Sequence, residues 1–158
     1  MPYSSFAQFG AALCEVAGTT APPLQPDQNG LTAFHLVMRD VVVNLAHLMP
    51  DEGASDDVLV MATFGPIPQE MELEVLRALA QSNFSMLGPR VPVLAVNPAT
   101  GEVVLRQQLS LSDTEATDAF ATILRLGELA REWRLNPTMA PLAPEAASVA
   151  SVGHHQFA

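Results

Sequence analysis

The segment on which the predicted fold depends is Phe64-Gly65-Pro66-Ile67-Pro68-Gln69-Glu70-Met71-Glu72-Leu73-Glu74-Val75-Leu76-Arg77-Ala78-Leu79-Ala80-Gln81-Ser82-Asn83-Phe84. It joins a rigid turn, built on one glycine and two prolines, to a helix of about four turns. Proline is tolerated in or before a first helical turn, and the glutamates that follow suit the positive end of the helix dipole. Apolar residues cover more than one side of this helix, so we predict that it packs on its own sheet and on a second copy of the chain. The alternative is a central helix buried wholly within one monomer.

The length and composition favour a single domain with a substantial core. The chain has 158 residues, of which 49% are apolar. No apolar run approaches the ~20 residues that a membrane-spanning helix needs, which predicts no membrane insertion. The start, Met1-Pro2-Tyr3-Ser4-Ser5, lacks the basic and apolar regions of a signal peptide. Cys14, the single cysteine, is expected to be a small core residue in a reducing, cytoplasmic compartment.

The charge balance excludes some classes of partner. Seventeen acidic residues against seven basic ones give a formal net charge of −10. Phosphate backbones bind basic surfaces, so we predict no nucleic-acid partner, and an anionic membrane surface is disfavoured for the same reason. An acidic exterior does favour solubility in a protein that carries apolar surface.

The hydrophobic periodicity predicts the element order helix, three strands, helix, two strands, helix. In chain order these are a helix over Ser4–Val16; strands over Leu31–Met38, Val41–Leu48 and Val58–Phe64; the central helix; strands over Val91–Val96 and Glu102–Leu109; and a last helix that a Ser112-Asp113-Thr114-Glu115 capping box opens and that extends to about Arg134. Short connections require antiparallel pairing. The predicted fold class is therefore α+β, an antiparallel, twisted five-stranded sheet with three helices, in a chain that forms a homodimer.

Apolar residues occupy both faces of the first two predicted strands, whereas a sheet with one wet face alternates apolar and polar residues. We therefore expect both faces to be covered, one of them when a partner is present. The domain is predicted to span residues 1–135. Residues 136–158 are rich in proline and alanine and are predicted to be a flexible tail.

A search for a reaction centre finds little. The chain has no dinucleotide-binding, phosphate-binding, nucleophile-elbow or Cys-x-x-Cys motif. His35 and His47 lie on adjacent predicted strands and could bind a transition metal with a carboxylate, but no acid is spaced to complete that site. We predict no catalytic residues, no cofactor and no metal. A small metal-dependent enzyme that uses the two histidines stays as an alternative.

Several segments together resemble the class I type III secretion chaperones, the CesT/SycE/Tir-chaperone family. They are the Ile67-Pro68 turn before the central helix, its end at Ser82-Asn83-Phe84, the Asn97-Pro98-Ala99-Thr100-Gly101 hairpin, and a Leu-rich last helix that ends near Trp133. Serine replaces the alanine that the family tends to carry before Asn83. The resemblance covers roughly Phe6 to Arg134 and depends on the element order, size and acidity as much as on any one motif.

The resemblance implies a cytoplasmic bacterial homodimer, without enzymatic activity, that binds the N-terminal region of a secreted effector and holds it locally unfolded for export. Components of the secretion apparatus are further expected partners. The implied dimer contact maps onto Met71, Val75, Leu76, Leu79 and Phe84. The implied effector surface comes from the first helix and the sheet, for which the candidates are Phe6, Phe9, Leu13, Phe34, Leu36, Val41 and Val43. Each of these is also a plausible core residue, and a regulatory or adaptor protein of the same fold is the alternative function.

Overall fold

The computed structural model describes residues 3–48, 56–86 and 88–139. The helices and strands are α1 (Phe6–Val16), β1 (Leu31–Met38), β2 (Val41–Leu48), β3 (Asp57–Pro66), a single 3₁₀ turn (Gln69–Met71), α2 (Glu72–Ser85), β4 (Val93–Val96), β5 (Glu102–Ser110) and α3 (Ala116–Leu135). The strands form one antiparallel sheet in the spatial order β1-β2-β3-β5-β4. The predicted α+β class, its element order and its antiparallel pairing are confirmed.

The helices cover one face of the sheet. α1 begins after Ser5, whose side chain accepts a hydrogen bond from the Gln8 N–H, as the predicted cap requires. α3 packs on α1 and on β1, β2 and β3, while α2 packs beside β4. One core joins all three helices to the inward side chains of the strands, and its largest fully buried members are Trp133, Phe9 and Phe64.

The other face of the sheet has no cover from the described part of the chain. Along β1 and β2 burial alternates residue by residue, because only one face packs against helices. The outward positions are nevertheless largely apolar, and Val37 is 55% exposed. The expected second cover is therefore not supplied by the described residues of one chain.

The turn that precedes α2 begins with a β-bulge at the end of β3. The pairing of β3 with β5 shifts between Thr63 and Gly65, so Phe64 has no partner opposite it, and Gly65 adopts a φ of 131°. Arg134, in the last turn of α3, donates from Nε to the Phe64 carbonyl oxygen (2.6 Å) and from Nη2 to the Thr63 carbonyl oxygen (3.2 Å). Its Nη1 also pairs with the Asp40 carboxylate at 2.8 Å. The bulge and the end of α3 thus support one another.

The predicted capping box is wrong. The residue that caps α3 is Glu115, and its side chain makes no capping hydrogen bond. The Ser112 N–H instead donates to Asp56 (2.8 Å), and the Ser110 hydroxyl donates to the same carboxylate (2.5 Å). The segment that looked like a helix cap therefore anchors the end of β5 to the start of β3.

The remaining boundaries differ by a few residues from those predicted. β4 begins at Val93 rather than at Val91, after the proline, and β3 extends through Pro66. After α3, a turn brings Met139 partly buried against the core. The predicted tail from residue 140 onward lies outside the described residues.

Candidate protein-binding surfaces

α2 presents two apolar faces. Val75, Ala78, Leu79 and Ser82 are buried in the chain's own core. On the opposite side, Leu73, Leu76, Ala80 and Phe84 follow one another at intervals of three or four residues, and all four are exposed. Leu73 is 69% exposed and Phe84 is 88% exposed. We call these four residues the α2 stripe.

The five residues predicted for a dimer contact divide between these faces. Val75 and Leu79 are buried, and Met71 is partly buried against the same core. Leu76 and Phe84 belong to the exposed stripe. The helix thus has the two apolar faces that its sequence predicted, one buried in the core and one exposed. The dimer itself stays a prediction.

Asn83 occupies the outer edge of the sheet at β4. Its side-chain amide donates to the Leu94 carbonyl oxygen (2.8 Å), and its side-chain oxygen accepts from the Leu94 N–H (2.9 Å). The Asn97 N–H donates to the Glu102 carbonyl oxygen, and hydrogen-bonded and non-hydrogen-bonded pairs alternate along the ladder. The backbone groups of Leu94, three residues earlier, therefore point away from β5. Asn83 therefore satisfies the groups through which another strand would pair with the centre of β4. The sequence motif at 82–84 marks the end of the helix but does not predict that Asn83 binds the backbone of β4.

The uncovered side of the sheet, which we call the open face, is largely apolar, with His35 and Asn44 as a polar pair between the apolar pairs of β1 and β2. Cross-strand pairs such as Leu31 with Leu48 and Val37 with Val42 place its side chains side by side. Its apolar members are the exposed Leu31, Ala33, Val37, Val42, Leu48 and Val93 and the half-buried Ala46, Leu59, Met61, Ala95 and Val104. Exposed apolar side chains grouped on one face are typical of surfaces that bind another protein.

The seven candidates for the effector surface all lie in the core. Phe6, Phe9 and Leu13 face inward from α1, and the four strand residues, Phe34, Leu36, Val41 and Val43, face α1 and α3. These seven residues form part of the core on the opposite side of the sheet from the open face. The residues beside them on the same strands, at alternate positions, are the exposed ones. Because both alternating sets are apolar, the pattern alone could not distinguish the inner from the outer set.

β1 is the other edge of the sheet, and its backbone is open over three residues. The two-residue turn Arg39–Asp40 makes Met38 and Val41 a hydrogen-bonded pair, so the N–H and C=O groups of Ala33, His35 and Val37 point outward. The outward groups of Leu31 are already bonded to Asp27. Within the described part of the chain, nothing pairs with the other three.

The two strand histidines do not form a site. His35 is exposed on the open face, whereas His47 is 4% exposed on the core face and stacks on Phe6, with ring centroids 5.3 Å apart. No group of three His, Cys, Asp or Glu side chains that could hold a metal occurs among the described residues. The two histidines thus lie on opposite faces of the sheet, so the metal site considered from the sequence is wrong. His47 instead lines a cavity of about 200 Å³ at the start of α1, with Phe6, Leu24, Thr32 and Leu111.

None of the helices formed by the described residues is both long enough and apolar enough to cross a bilayer. No curated protein sequence matches the chain significantly.

Solved structures share its fold. A chain of the ExsC–ExsE complex is 18% identical, with 89% of this chain and 95% of that one aligned and a TM-score of 0.54. A chain of the HopA1–SchA chaperone–effector complex is 13% identical, with 81% and 91% aligned and a TM-score of 0.55. A chain of the ExoT–SpcS complex from Pseudomonas aeruginosa is 18% identical, with 81% and 97% aligned and a TM-score of 0.53.

The model of one protein family matches residues 11–134, from the middle of α1 to the last turn of α3. Over this span lie the sheet, the α2 stripe and the open face. The chain belongs to the Tir chaperone protein (CesT) family.

Proposed function

We propose that this protein is a cytoplasmic, non-enzymatic, dimeric chaperone that binds the N-terminal region of a type III secreted effector and keeps it soluble and locally unfolded for export. The open face carries the proposal, because it is a large apolar surface beside a free sheet edge. Membership of a chaperone family supports it, as does the fold shared with a chain of a chaperone–effector complex.

The effector site is the open face together with the β1 edge. An extended effector segment adds to β1 through the outward backbone groups of Ala33, His35 and Val37, which gives affinity that does not depend on sequence. Its apolar side chains then cover the adjacent open face. Each Leu or Phe that becomes fully buried contributes roughly 1.5–3 kcal/mol before the cost of ordering the segment, so several contacts are needed.

The burial of the seven residues first suggested for this role moves the contact to their neighbours. Leu31 and Val37 replace Phe34 and Leu36 on β1, and Val42 replaces Val41 and Val43 on β2. Binding requires no ATP or metal, because it is driven by the burial of apolar surface of the chaperone against apolar surface of the effector.

The homodimer forms through the α2 stripe. Leu76 and Phe84 are the exposed members of the predicted interface, and Leu73 and Ala80 extend it over three turns of helix. A stripe this apolar on an acidic protein is unfavourable in water unless a second copy covers it. The dimer then presents two effector sites, one per chain.

The experiment for effector binding compares two variants in the source bacterium. The tagged wild-type chain should retain one secreted protein, and deletion of that protein's N-terminal segment should abolish the interaction. Val42→Asp places a charge in the centre of the open face and should release the effector, while Asp118→Asn, an exposed change on α3, should not. A wild-type chain that retains only a transcriptional regulator or apparatus component would favour the adaptor alternative and contradict this proposal.

The experiment for the dimer is light scattering. The wild-type particle should have twice the 16.8 kDa mass of the chain. Leu76→Asp should yield a monomer, whereas Gln81→Asp, exposed on α2 but outside the stripe, should leave the dimer intact. A monomeric wild type, or a dimer indifferent to Leu76→Asp, would show that the stripe does not join two copies.

A further inference from the structure

The open face carries very little charge for a protein with a net charge of −10. Its charged positions among the described residues are Asp57 and Glu102, at the ends of β3 and β5, and Arg106, in the middle of β5. Depletion of charge is the compositional mark of an interface centre. A guanidinium retained within this face, on the strand next to the β4 edge, therefore requires an explanation.

Apolar and neutral side chains surround Arg106. In register with it lie Met61 on β3 and Val93 on β4. Beside it opens a cavity of about 170 Å³, lined by Arg106 with Leu59, Val91, Val93, Gln107 and Gln108. Three apolar walls, two amides and one guanidinium make a socket suited to a short polar side chain.

Arg106 has no partner within the described part of the chain. Arg90, Arg131 and Arg134 each pair with an aspartate. Arg39, Arg77 and Arg125 also make no ion pair among the described residues, but they lie outside the strands of the sheet. Ser110, which lies opposite Asp57, and Glu102 are each four residues from Arg106 along β5, or about 13 Å at the rise of a strand. That exceeds the screening length of roughly 8 Å at physiological ionic strength.

We propose that the socket at Arg106 takes an aspartate or glutamate side chain from the part of the effector that lies over β5, beyond the part that pairs with β1, so that the chaperone selects apolar segments with one suitably placed carboxylate. This inference rests on the proposed function and names the chemistry of its ligand. A purely apolar segment laid over Arg106 would bury an unpaired charge, which is costly. A carboxylate accepts two hydrogen bonds from the guanidinium, and a basic residue at that point is repelled.

The test uses random peptides displayed on phage, selected on the full-length protein. The wild type should enrich apolar peptides with an acidic residue at one position. Arg106→Glu should enrich Lys or Arg at that position instead. Arg125→Glu is the matched control, since Arg125 is exposed on α3, behind the sheet, and changes the net charge equally. For one enriched peptide, Glu→Gln should weaken binding to the wild type about tenfold and leave binding to Arg106→Gln unchanged.

Each outcome decides between the two proposals. Apolar peptides without an acidic position, or a preference that Arg106→Glu does not change, overturn the role of Arg106 and leave the proposed function standing. A library from which no peptide is enriched overturns both. Arg106→Glu that alters the dimer mass in light scattering would place Arg106 at the contact between copies and would also refute the inference. Unchanged thermal unfolding of both Arg106 variants, expected because the residue is exposed, confirms that the comparison concerns folded protein.

Discussion

Replacing Arg134 by alanine should destabilise the protein far more than an exposed arginine normally does. Its side chain donates to two carbonyl oxygens at the β-bulge, and one of them belongs to the fully buried Phe64. Hydrogen bonds to charged groups contribute about 1.5–3 kcal/mol each. Since Arg134 is 32% exposed, we discount the sum and expect a loss of about 3 kcal/mol.

Arg131 is a matched control on the same helix. It pairs with the same Asp40 at 3.3 Å, but it contacts neither bulge carbonyl, and both partners of this pair are exposed. Arg131→Ala should therefore cost about 0.5 kcal/mol. Arg134→Lys, which keeps the charge without the fork of donors, should lie between the two alanine variants.

Thermal unfolding followed by circular dichroism, at one fixed protein concentration, measures the difference. At about 2–4 °C per kcal/mol for a chain of this size, Arg134→Ala should lower Tm by about 6–12 °C and Arg131→Ala by about 1–2 °C. Equal losses for the two variants, or a loss for Asp40→Ala as large as that for Arg134→Ala, would show that the energy lies in the exposed ion pair. The account of the bulge carbonyls would then be refuted.

The hydrogen bond from Ser110 is the main cause that lowers the pKa of Asp56. This carboxylate therefore adds stability above its ordinary pKa that is lost as the pH falls through the lowered value, and Asp56→Asn should flatten the acid limb of the unfolding free energy between neutral and acidic pH. Asn83→Ala should cost about 1–2 kcal/mol in urea unfolding through two lost hydrogen bonds, and Asn83→Asp should cost more at neutral pH, because a carboxylate cannot donate to the Leu94 carbonyl. Val37→Lys should change stability by no more than about 0.5 kcal/mol and reduce effector binding, since Val37 contacts solvent on the open face; a larger loss in urea unfolding would mean that this face is covered.

Local signals predicted most of the fold. The boundaries of β1 and β2 were predicted correctly because a two-residue turn fixes their pairing and an Asp27–Gly30 turn fixes where β1 begins. The central helix was predicted with two apolar sides, and it has them. These features depend on residues close together in sequence, for which propensity and periodicity are informative.

The features that could not be predicted from the sequence mostly involve residues that are distant from one another along the chain. Ser112 matched a helix cap, but Asp56, which immediately precedes β3, accepts a hydrogen bond from its N–H instead. Arg134 looked like an ordinary helix terminus until the bulge at Phe64 gave it carbonyls to bind. Phe34 and Leu36 were candidates for the effector surface because apolar residues occupy both faces of β1. Only the position of the helices shows that these two side chains face the core.

The amide of Asn83 makes the two edges of the sheet unequal. Ordered fibrils grow because each added molecule exposes a fresh edge equivalent to the one it has just used. Here another strand can pair with β1, whereas Asn83 occupies the backbone groups at the centre of β4, so the sheet cannot be extended equally from both of its edges. The β4 edge is therefore protected from edge-to-edge pairing whether or not a partner strand is bound to β1.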